Sequence, residues 1–208
     1  MRARIGLSPR TLDQLERYAF LVAYSVFAIQ LVGAFIIEGR LTQLLYLMDQ
    51  SVVLSFFIFR RPTEEISLQR GDWLAGVIGT LLPLLIGPVS TDSAIAPLTA
   101  TICLGLGISL HLSAKLALGT SIGVIAANRG LKTGGPYRII RHPMYAGYMV
   151  AQLGILLAGP NMRNCVVVVL CWIFFIWRIS AEEKLLSRDE NYVRFQRRTR
   201  ARLFPGIY

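Results

Sequence analysis

A short segment in the C-terminal half of the chain places ionisable and aromatic side chains directly against an apolar stretch. From Gly135 to Tyr145 it reads Gly-Pro-Tyr-Arg-Ile-Ile-Arg-His-Pro-Met-Tyr. Charge at a membrane boundary usually signals function, and proline is well tolerated in the first turn of a helix. The order predicts a polar turn followed by a helix that begins near Pro143. Such an entry into the bilayer can hold a polar ligand at the membrane surface.

A second group of ionisable residues, Arg178, Glu182 and Glu183, lies at the end of the last apolar stretch. A hairpin of two spans separates Glu182 from Tyr145 and would return both to the same membrane face. Arg178 and Glu182 are four residues apart, which places both on one face of a helix. The pair has two interpretations. It is either an arginine that extends to the membrane surface beside a glutamate, or a site for charged ligands.

The elements that position these residues are predicted to be membrane-spanning helices. Hydrophobic residues make up 54% of the chain and charged residues 16%, which is typical of a polytopic membrane protein. The predicted fold class is all-α, a bundle of about six transmembrane helices, since each span needs about 20 residues. The apolar stretches are Tyr18 to Ile37, Leu41 to Phe59, Trp73 to Val89, Ala94 to Ser113, Met144 to Ala158 and Cys165 to Ile179. Asp49 and Gln50 interrupt the second stretch, where a hydrogen bond between helices is favoured over a functional role.

The distribution of basic residues predicts the orientation. If six spans alternate, all but Arg40 and Arg163 of the 22 Lys and Arg residues fall on one side. Basic residues concentrate on the cytoplasmic side, so both termini are predicted to be cytoplasmic. The net charge of +10 is explained by this bias and by contacts with anionic lipid headgroups, and no nucleic-acid partner is predicted. The three cysteines have no metal-type spacing, and no metal site is predicted.

Two segments outside the spans are predicted to contribute to a site. Leu116 to Arg141 is the longest polar segment between spans, but residues 121–125 are too apolar for a solvated loop. Irregular backbone at membrane depth must be buried or line a wet cavity, so a ligand cavity is favoured over a mobile loop. Ala181 to Arg202 is predicted to form an amphipathic interfacial helix. The apolar tail, Leu203 to Tyr208, either covers the cavity or adheres to the membrane.

The motif residues described above, together with Arg129-Gly130, resemble the isoprenylcysteine carboxyl methyltransferase family. Phospholipid N-methyltransferases share the broader pattern. The resemblance extends from Leu118 to Tyr208 and implies an integral membrane enzyme that transfers a methyl group from S-adenosylmethionine to a lipid-like acceptor. We expect one membrane domain, residues 1–208, because no Ser- or Gly-rich linker interrupts the sequence and no repeat recurs. Residues 1–116 are predicted to be a helical scaffold, and residues 117–208 a cofactor-binding and catalytic region.

The resemblance also implies roles for particular residues. The cofactor-binding positions are Leu131, Lys132, Tyr137, His142, Pro143, Met144, Tyr145 and Glu182. Arg178 matches a family arginine implicated in acceptor binding and is the catalytic candidate. A Gly-rich dinucleotide turn is not expected, because Gly105-Leu106-Gly107 lies inside an apolar stretch without a third glycine at the required offset.

Several acceptors and functions are compatible with the sequence. An isoprenylcysteine-type carboxylate is favoured and needs no base, whereas an amine would need one such as Glu183 or His142. Phospholipid (ethanolamine) N-methyltransferase and small-thiol methyltransferase activities are alternatives. A nicotinamide-dependent membrane reductase, related to sterol reductases, and a non-catalytic membrane assembly protein are alternatives from other classes. Binding of S-adenosylhomocysteine, of a nicotinamide dinucleotide, or of neither separates the three classes.

Overall fold

The computed structural model describes residues 5–38, 51, 53–87 and 98–206, which form an all-α fold as predicted. The helices are α1 (Pro9–Glu38), α2 (Arg70–Leu81), α3 (Leu98–Leu118), α4 (Pro143–Ala158), α5 (Met162–Leu186) and α6 (Glu190–Arg198). Residues 53–58 are also helical. Short 3₁₀ helices cover Leu82–Leu85, Gly119–Ser121 and Gly135–Arg138.

Within the described residues, three helices are long and apolar enough to cross a membrane: Pro9–Ile37, Leu98–Ser121 and Met162–Leu186. Helix α4 is apolar but has only 16 residues. The predicted second span lies mostly outside the described residues, as do Asp49 and Gln50. The six-span count therefore stays a prediction.

The last two helices differ from the predicted boundaries. Helix α5 continues to Leu186 because Ala181, Glu183 and Leu185 still pack into the core. The amphipathic helix begins only at Glu190, so its predicted start at Ala181 is wrong. The Asp189 side chain accepts a hydrogen bond from the Asn191 amide at 2.8 Å, and this N-cap starts the new helix.

Helices α3 and α4 pack with almost no space between their backbones. A Cβ atom on Gly107 would lie 2.3 Å from the backbone nitrogen of Ala151, and one on Gly147 would lie 2.6 Å from that of His111. Small residues allow this close approach in membrane bundles, where van der Waals packing stabilises helix pairs. The close packing fixes α4, and with it the motif residues at its start.

Helix α5 packs against α2, and its C-terminal end lies beside the motif residues at the start of α4. Asn164, near its start, is fully buried and accepts a hydrogen bond from the Gly87 amide at 2.9 Å. Further along, a Cβ atom on Gly79 would lie 3.0 Å from Cδ of Arg178. The absence of a side chain at Gly79 therefore leaves room for the arginine between the two helices.

The polar segment between α3 and α4 is held in place by hydrogen bonds. It pairs with residues 65–67 through an isolated bridge between Ile66 and Ala127. The Ser67 amide donates to the Ala126 carbonyl at 2.9 Å, and the Asn128 amide donates to the Glu65 carbonyl at 2.8 Å. Gly135, the first residue of the 3₁₀ helix, has φ +57°, a conformation that glycine adopts without steric cost.

The C-terminal tail folds back against the start of α4. The Arg141 amide donates to the Ala201 carbonyl at 3.0 Å, and the His142 amide donates to the Arg202 carbonyl at 2.9 Å. Leu203 is buried in the same hydrophobic cluster as Tyr145. Residues 201–203 thus support the start of α4 through backbone hydrogen bonds and through the buried Leu203 side chain.

Candidate active site

The motif borders a cavity between the polar segment, α4, α5 and α6, which we call the motif cavity. Counted with its open mouth, it encloses about 780 Å³. Among its lining residues are Arg129, Leu131, Lys132, Tyr137, His142, Met144, Tyr145, Glu182, Tyr192 and Phe195. Acidic, basic and aromatic side chains thus share one wall, which suits a ligand that carries both charges and an aromatic ring.

Two adjacent glutamates at the end of α5 have different roles. Glu182 accepts a hydrogen bond from the Tyr145 hydroxyl, and its other oxygen lies 3.8 Å from Nδ1 of His142. Glu182 remains 24% exposed at its side chain and lines the motif cavity. It is therefore placed to contact a bound ligand.

Glu183 points away from that cavity toward Arg141, His142 and Arg202. Its Oε1 lies 2.7 Å from Nε of Arg141 and 3.1 Å from Nε2 of His142. Its Oε2 lies 2.9 Å from Nε of Arg202. Because both oxygens are engaged, Glu183 links the motif to the C-terminal tail and orients His142, and it is poorly placed to act as a base.

Aromatic residues form one side of the motif cavity. Tyr137, Tyr192 and Phe195 pack together in a small hydrophobic cluster. Burial raises the pKa of Tyr137 and of Tyr192, with nearby glutamate charge adding to the effect, so both phenols stay protonated. The buried Tyr192 hydroxyl has no hydrogen-bond partner within the described part of the chain. A buried polar group without a partner is costly, and a ligand in this cavity can satisfy it.

Arg178 is buried and does not extend to the surface. Its Nη1 donates to the Thr80 hydroxyl at 3.2 Å, and its Nη2 donates to the Val124 carbonyl at 2.9 Å. Its guanidinium carbon lies 5.3 Å from the centroid of the Tyr145 ring, a cation–π distance. Arg178 and Glu182 therefore both contact Tyr145, one at the ring and the other at the hydroxyl.

Arg178 lines a second cavity inside the helix bundle, which we call the bundle cavity. Measured in the same way, it encloses about 1620 Å³. Most of its lining is apolar or aromatic, but Lys115 and Arg178 add two basic side chains. No Asp or Glu is present among the described residues that line it. This cavity suits a largely apolar ligand with an anionic group.

The two cavities meet at Gly123, Met144 and Tyr145, which line both. A polar ligand on one side and an amphipathic ligand on the other would thus approach each other at the start of α4. The arrangement suits the transfer of a small group between two bound molecules.

Comparisons with known proteins agree with this geometry. Residues 95–190 match the phospholipid methyltransferase family. A protein-S-isoprenylcysteine O-methyltransferase of Schizosaccharomyces pombe is 32% identical over 136 residues, which cover 55% of this chain and 58% of that protein. Protein-S-isoprenylcysteine O-methyltransferase A of Arabidopsis thaliana is 38% identical over 63 residues, which cover 29% of this chain and 32% of that protein.

The chain is thus similar to isoprenylcysteine and phospholipid methyltransferases. It spans about a third of one of these curated relatives and somewhat over half of the other. A solved structure of a eukaryotic intramembrane Ras methyltransferase, an isoprenylcysteine carboxyl methyltransferase, has a similar fold, with a TM-score of 0.52 at 19% identity. That likeness covers 92% of this chain and 75% of the other. The similar fold and the long apolar helices support an integral membrane protein.

The structure brings together most of the predicted site residues. Seven of the predicted cofactor-binding residues line the motif cavity: Leu131, Lys132, Tyr137, His142, Met144, Tyr145 and Glu182. Pro143 does not line it, but is buried as the first residue of α4. Arg178 lies in the bundle cavity instead.

Sequence analysis missed several residues of the two cavities. Tyr192 and Phe195 of α6 line the motif cavity. Their spacing on an amphipathic helix could have indicated a shared buried face. Thr80 and Lys115, which come from α2 and α3, line the bundle cavity. No local pattern marks them, because their role depends on how distant helices pack.

Proposed function

We propose that the protein transfers a methyl group from S-adenosylmethionine to the carboxylate of a lipid-like acceptor of the isoprenylcysteine type. The proposal rests mainly on one observation: a polar, aromatic cavity and an apolar, cation-bearing cavity meet at Tyr145. Its relatives in Schizosaccharomyces pombe and Arabidopsis thaliana are protein-S-isoprenylcysteine O-methyltransferases. The names of those proteins support the same chemistry.

The motif cavity has groups that fit S-adenosylmethionine. When bound, this cofactor supplies a methyl group on a positively charged sulfur. The unpartnered Tyr192 hydroxyl and the Glu182 carboxylate can bind ribose hydroxyls or the ammonium group. Lys132 can bind the carboxylate of the cofactor. Tyr137 and Phe195 offer aromatic faces for the adenine.

The bundle cavity has groups that fit an anionic lipid. Arg178 is held rigidly by Thr80 and Val124, so it can orient an acceptor carboxylate with little loss of side-chain freedom. Burial of the carboxylate strengthens this attraction, because electrostatic interactions are stronger away from water. Alignment and exclusion of water are the main requirements of a displacement at a methyl group. A carboxylate needs no base, so the engagement of Glu183 in its ion cluster does not hinder the reaction.

An ethanolamine headgroup is a poorer fit at the same place. Its ammonium group would lie among Lys115 and Arg178, and like charges repel strongly in a site shielded from water. Acidic side chains that could offset this repulsion do not occur among the described lining residues of the bundle cavity. The charges therefore favour a carboxylate acceptor over an amine.

The proposed orientation places both termini and the motif cavity at the cytoplasmic face. The reason is the strong bias of basic residues, which leaves only Arg40 and Arg163 on the other side in a six-span arrangement. The acceptor would then enter the bundle cavity from the lipid, while S-adenosylmethionine would enter from the cytoplasm.

A methyl-transfer assay tests the proposal. The purified protein in lipid vesicles is given S-adenosylmethionine with a labelled methyl group. A prenylated cysteine with a free carboxylate is then compared with phosphatidylethanolamine. We expect label on the prenylated cysteine as an ester that mild base removes. Label on phosphatidylethanolamine alone would overturn the acceptor assignment, and no label with either by folded protein would overturn the methyltransferase proposal.

A further inference from the structure

A buried cluster of four charged side chains connects α1 to the polar segment. Asp13 and Glu16 of α1 pair with Arg60 and Arg129, and the side chains of all four are at most 6% exposed. The Asp13 Oδ1 atom lies 2.9 Å from an Nη atom of each arginine. The Glu16 Oε2 atom lies 3.0 Å from Nη1 of Arg60 and 2.7 Å from Nη2 of Arg129. With two charges of each sign, the cluster is balanced.

Glu16 differs from Asp13 in one respect. Its second oxygen, Oε1, accepts hydrogen bonds from the backbone amides of Val124 at 2.6 Å and Ile125 at 3.0 Å. The further contact of Asp13 stays within the cluster, because its backbone carbonyl accepts a hydrogen bond from Nη2 of Arg60 at 2.6 Å. Glu16 alone in this cluster thus joins α1 directly to the backbone of residues 124 and 125.

Those two residues lie where the cavities adjoin. Gly123 lines both cavities, Ile125 lines the motif cavity, and Val124 lines the bundle cavity. The carbonyl of Val124 accepts the hydrogen bond from Nη2 of Arg178 at 2.9 Å. The peptide unit between Val124 and Ile125 therefore donates its N–H to Glu16 and accepts a hydrogen bond from Arg178 at its carbonyl oxygen. A shift of Val124 would move the guanidinium that faces the acceptor.

We propose that Glu16 is a positioning residue. Through Val124, it fixes the position of Arg178 and of the backbone that separates the two cavities. The inference rests on the proposed methyl transfer and adds a contribution from α1, which belongs to the region expected to be only a scaffold. Misplacement of a catalytic group by about 1 Å can lower a rate about 100-fold. Glu16 would thus affect turnover without touching either ligand.

The matched comparison is Glu16→Gln against Asp13→Asn. Both substitutions remove one buried negative charge from the same arginines. Only in Glu16→Gln does a single carbonyl oxygen have to serve either the arginines or the Val124 and Ile125 amides, while an NH2 group faces the other set. A third variant, Glu16→Asp, keeps the charge of the cluster and is one methylene too short to hold both the arginines and the amides. It covers the case in which Glu16→Gln fails to fold.

Five quantities are measured for each folded variant: the melting temperature, the affinity for S-adenosylhomocysteine, kcat and KM with the prenylated cysteine, and the hydrogen exchange of the peptide that contains residues 122–127. We expect Glu16→Gln and Glu16→Asp to lower kcat/KM about 10-fold or more and to speed exchange in that peptide. Asp13→Asn should lower the melting temperature to a similar extent but leave kcat/KM within about threefold of the wild type.

Equal effects of Glu16→Gln and Asp13→Asn on kcat/KM and exchange would overturn the positioning role and leave the cluster purely structural. An inactive but folded wild type would overturn the proposed function, and the positioning role would be withdrawn with it. The two failures are therefore distinguished by the wild-type activity.

Discussion

The motif cavity and the bundle cavity adjoin at Tyr145 but are built in different ways. The motif cavity takes most of its polar side chains from residues 129–145 and from the adjacent end of α5. The bundle cavity takes its basic side chains from α3 and α5. One of them, Arg178, is held by hydrogen bonds to Thr80 of α2 and to Val124 of the polar segment. The difference shows that ligand binding at one site can be encoded locally, whereas the neighbouring site depends on the packing of distant helices.

The two cavities also differ in charge. Glu182 faces the motif cavity, while the described lining of the bundle cavity has basic residues and no acidic ones. This separation allows a ligand with an ammonium group on one side and a carboxylate on the other. Mutations in each cavity should therefore affect different ligands.

The largest effect expected from a single conservative change is that of Arg178→Lys. A lysine retains the charge but cannot reproduce the planar fork that donates to Thr80 and Val124. We expect kcat/KM for the prenylated cysteine to fall about 100-fold, while the affinity for S-adenosylhomocysteine stays within about threefold. Steady-state kinetics and calorimetry measure the two quantities.

Arg163→Lys is the matched control, because Arg163 lies in the same helix and donates to the Leu85 carbonyl at an exposed position. It should leave both quantities unchanged. A loss of cofactor affinity in Arg178→Lys equal to its loss of turnover would remove the distinction between the cavities.

A smaller effect is expected from Tyr192→Phe in the motif cavity. The substitution removes only the hydroxyl that lacks a partner in the described structure. The loss of one ligand hydrogen bond, worth about 1 to 1.4 kcal/mol, should weaken the binding of S-adenosylhomocysteine about fivefold to tenfold. The melting temperature should not fall, since the hydroxyl has no protein partner to lose. An unchanged affinity would show that this hydroxyl does not contact the cofactor.

The smallest effects are expected from substitutions of two lysines, one in each cavity. Lys115 lines the bundle cavity and Lys132 lines the motif cavity. Lys115→Gln should raise KM for the prenylated cysteine about fivefold, and Lys132→Gln should weaken S-adenosylhomocysteine by about the same factor. Each should leave the other ligand unaffected. If both variants weakened the same ligand, the assignment of one ligand to each cavity would be wrong.

The difference between the cavities also explains which site residues could be placed from the sequence and which could not. The motif residues and Glu182 could be grouped from sequence, because a helical hairpin returns the chain to one membrane face and the grouping needs no detailed packing. The position of Arg178 could not be predicted. A surface arginine and a buried one have the same spacing from Glu182, and only the missing side chain at Gly79 makes room for burial.

The two adjacent glutamates illustrate the same limit. From the sequence, Glu183 or His142 could have been the base that an amine acceptor would need, yet the partners of Glu183 include Arg202, which lies beyond α6 in the folded-back tail. The end of α5 was also misplaced, since the helix continues as long as residues such as Leu185 find the core. In each case the missing information was a contact between residues far apart in the sequence.

Calorimetric titration of S-adenosylhomocysteine into the detergent-purified protein is the most direct test of the proposed division between the cavities. The wild type, Glu182→Ala and Arg178→Lys are compared, with Glu190→Ala as a control because Glu190 is an exposed acid on α6. We expect the wild type, Arg178→Lys and Glu190→Ala to bind S-adenosylhomocysteine with similar affinity, and Glu182→Ala to give no measurable heat of binding. Undiminished binding by Glu182→Ala, or no binding by the folded wild type, would contradict that expectation.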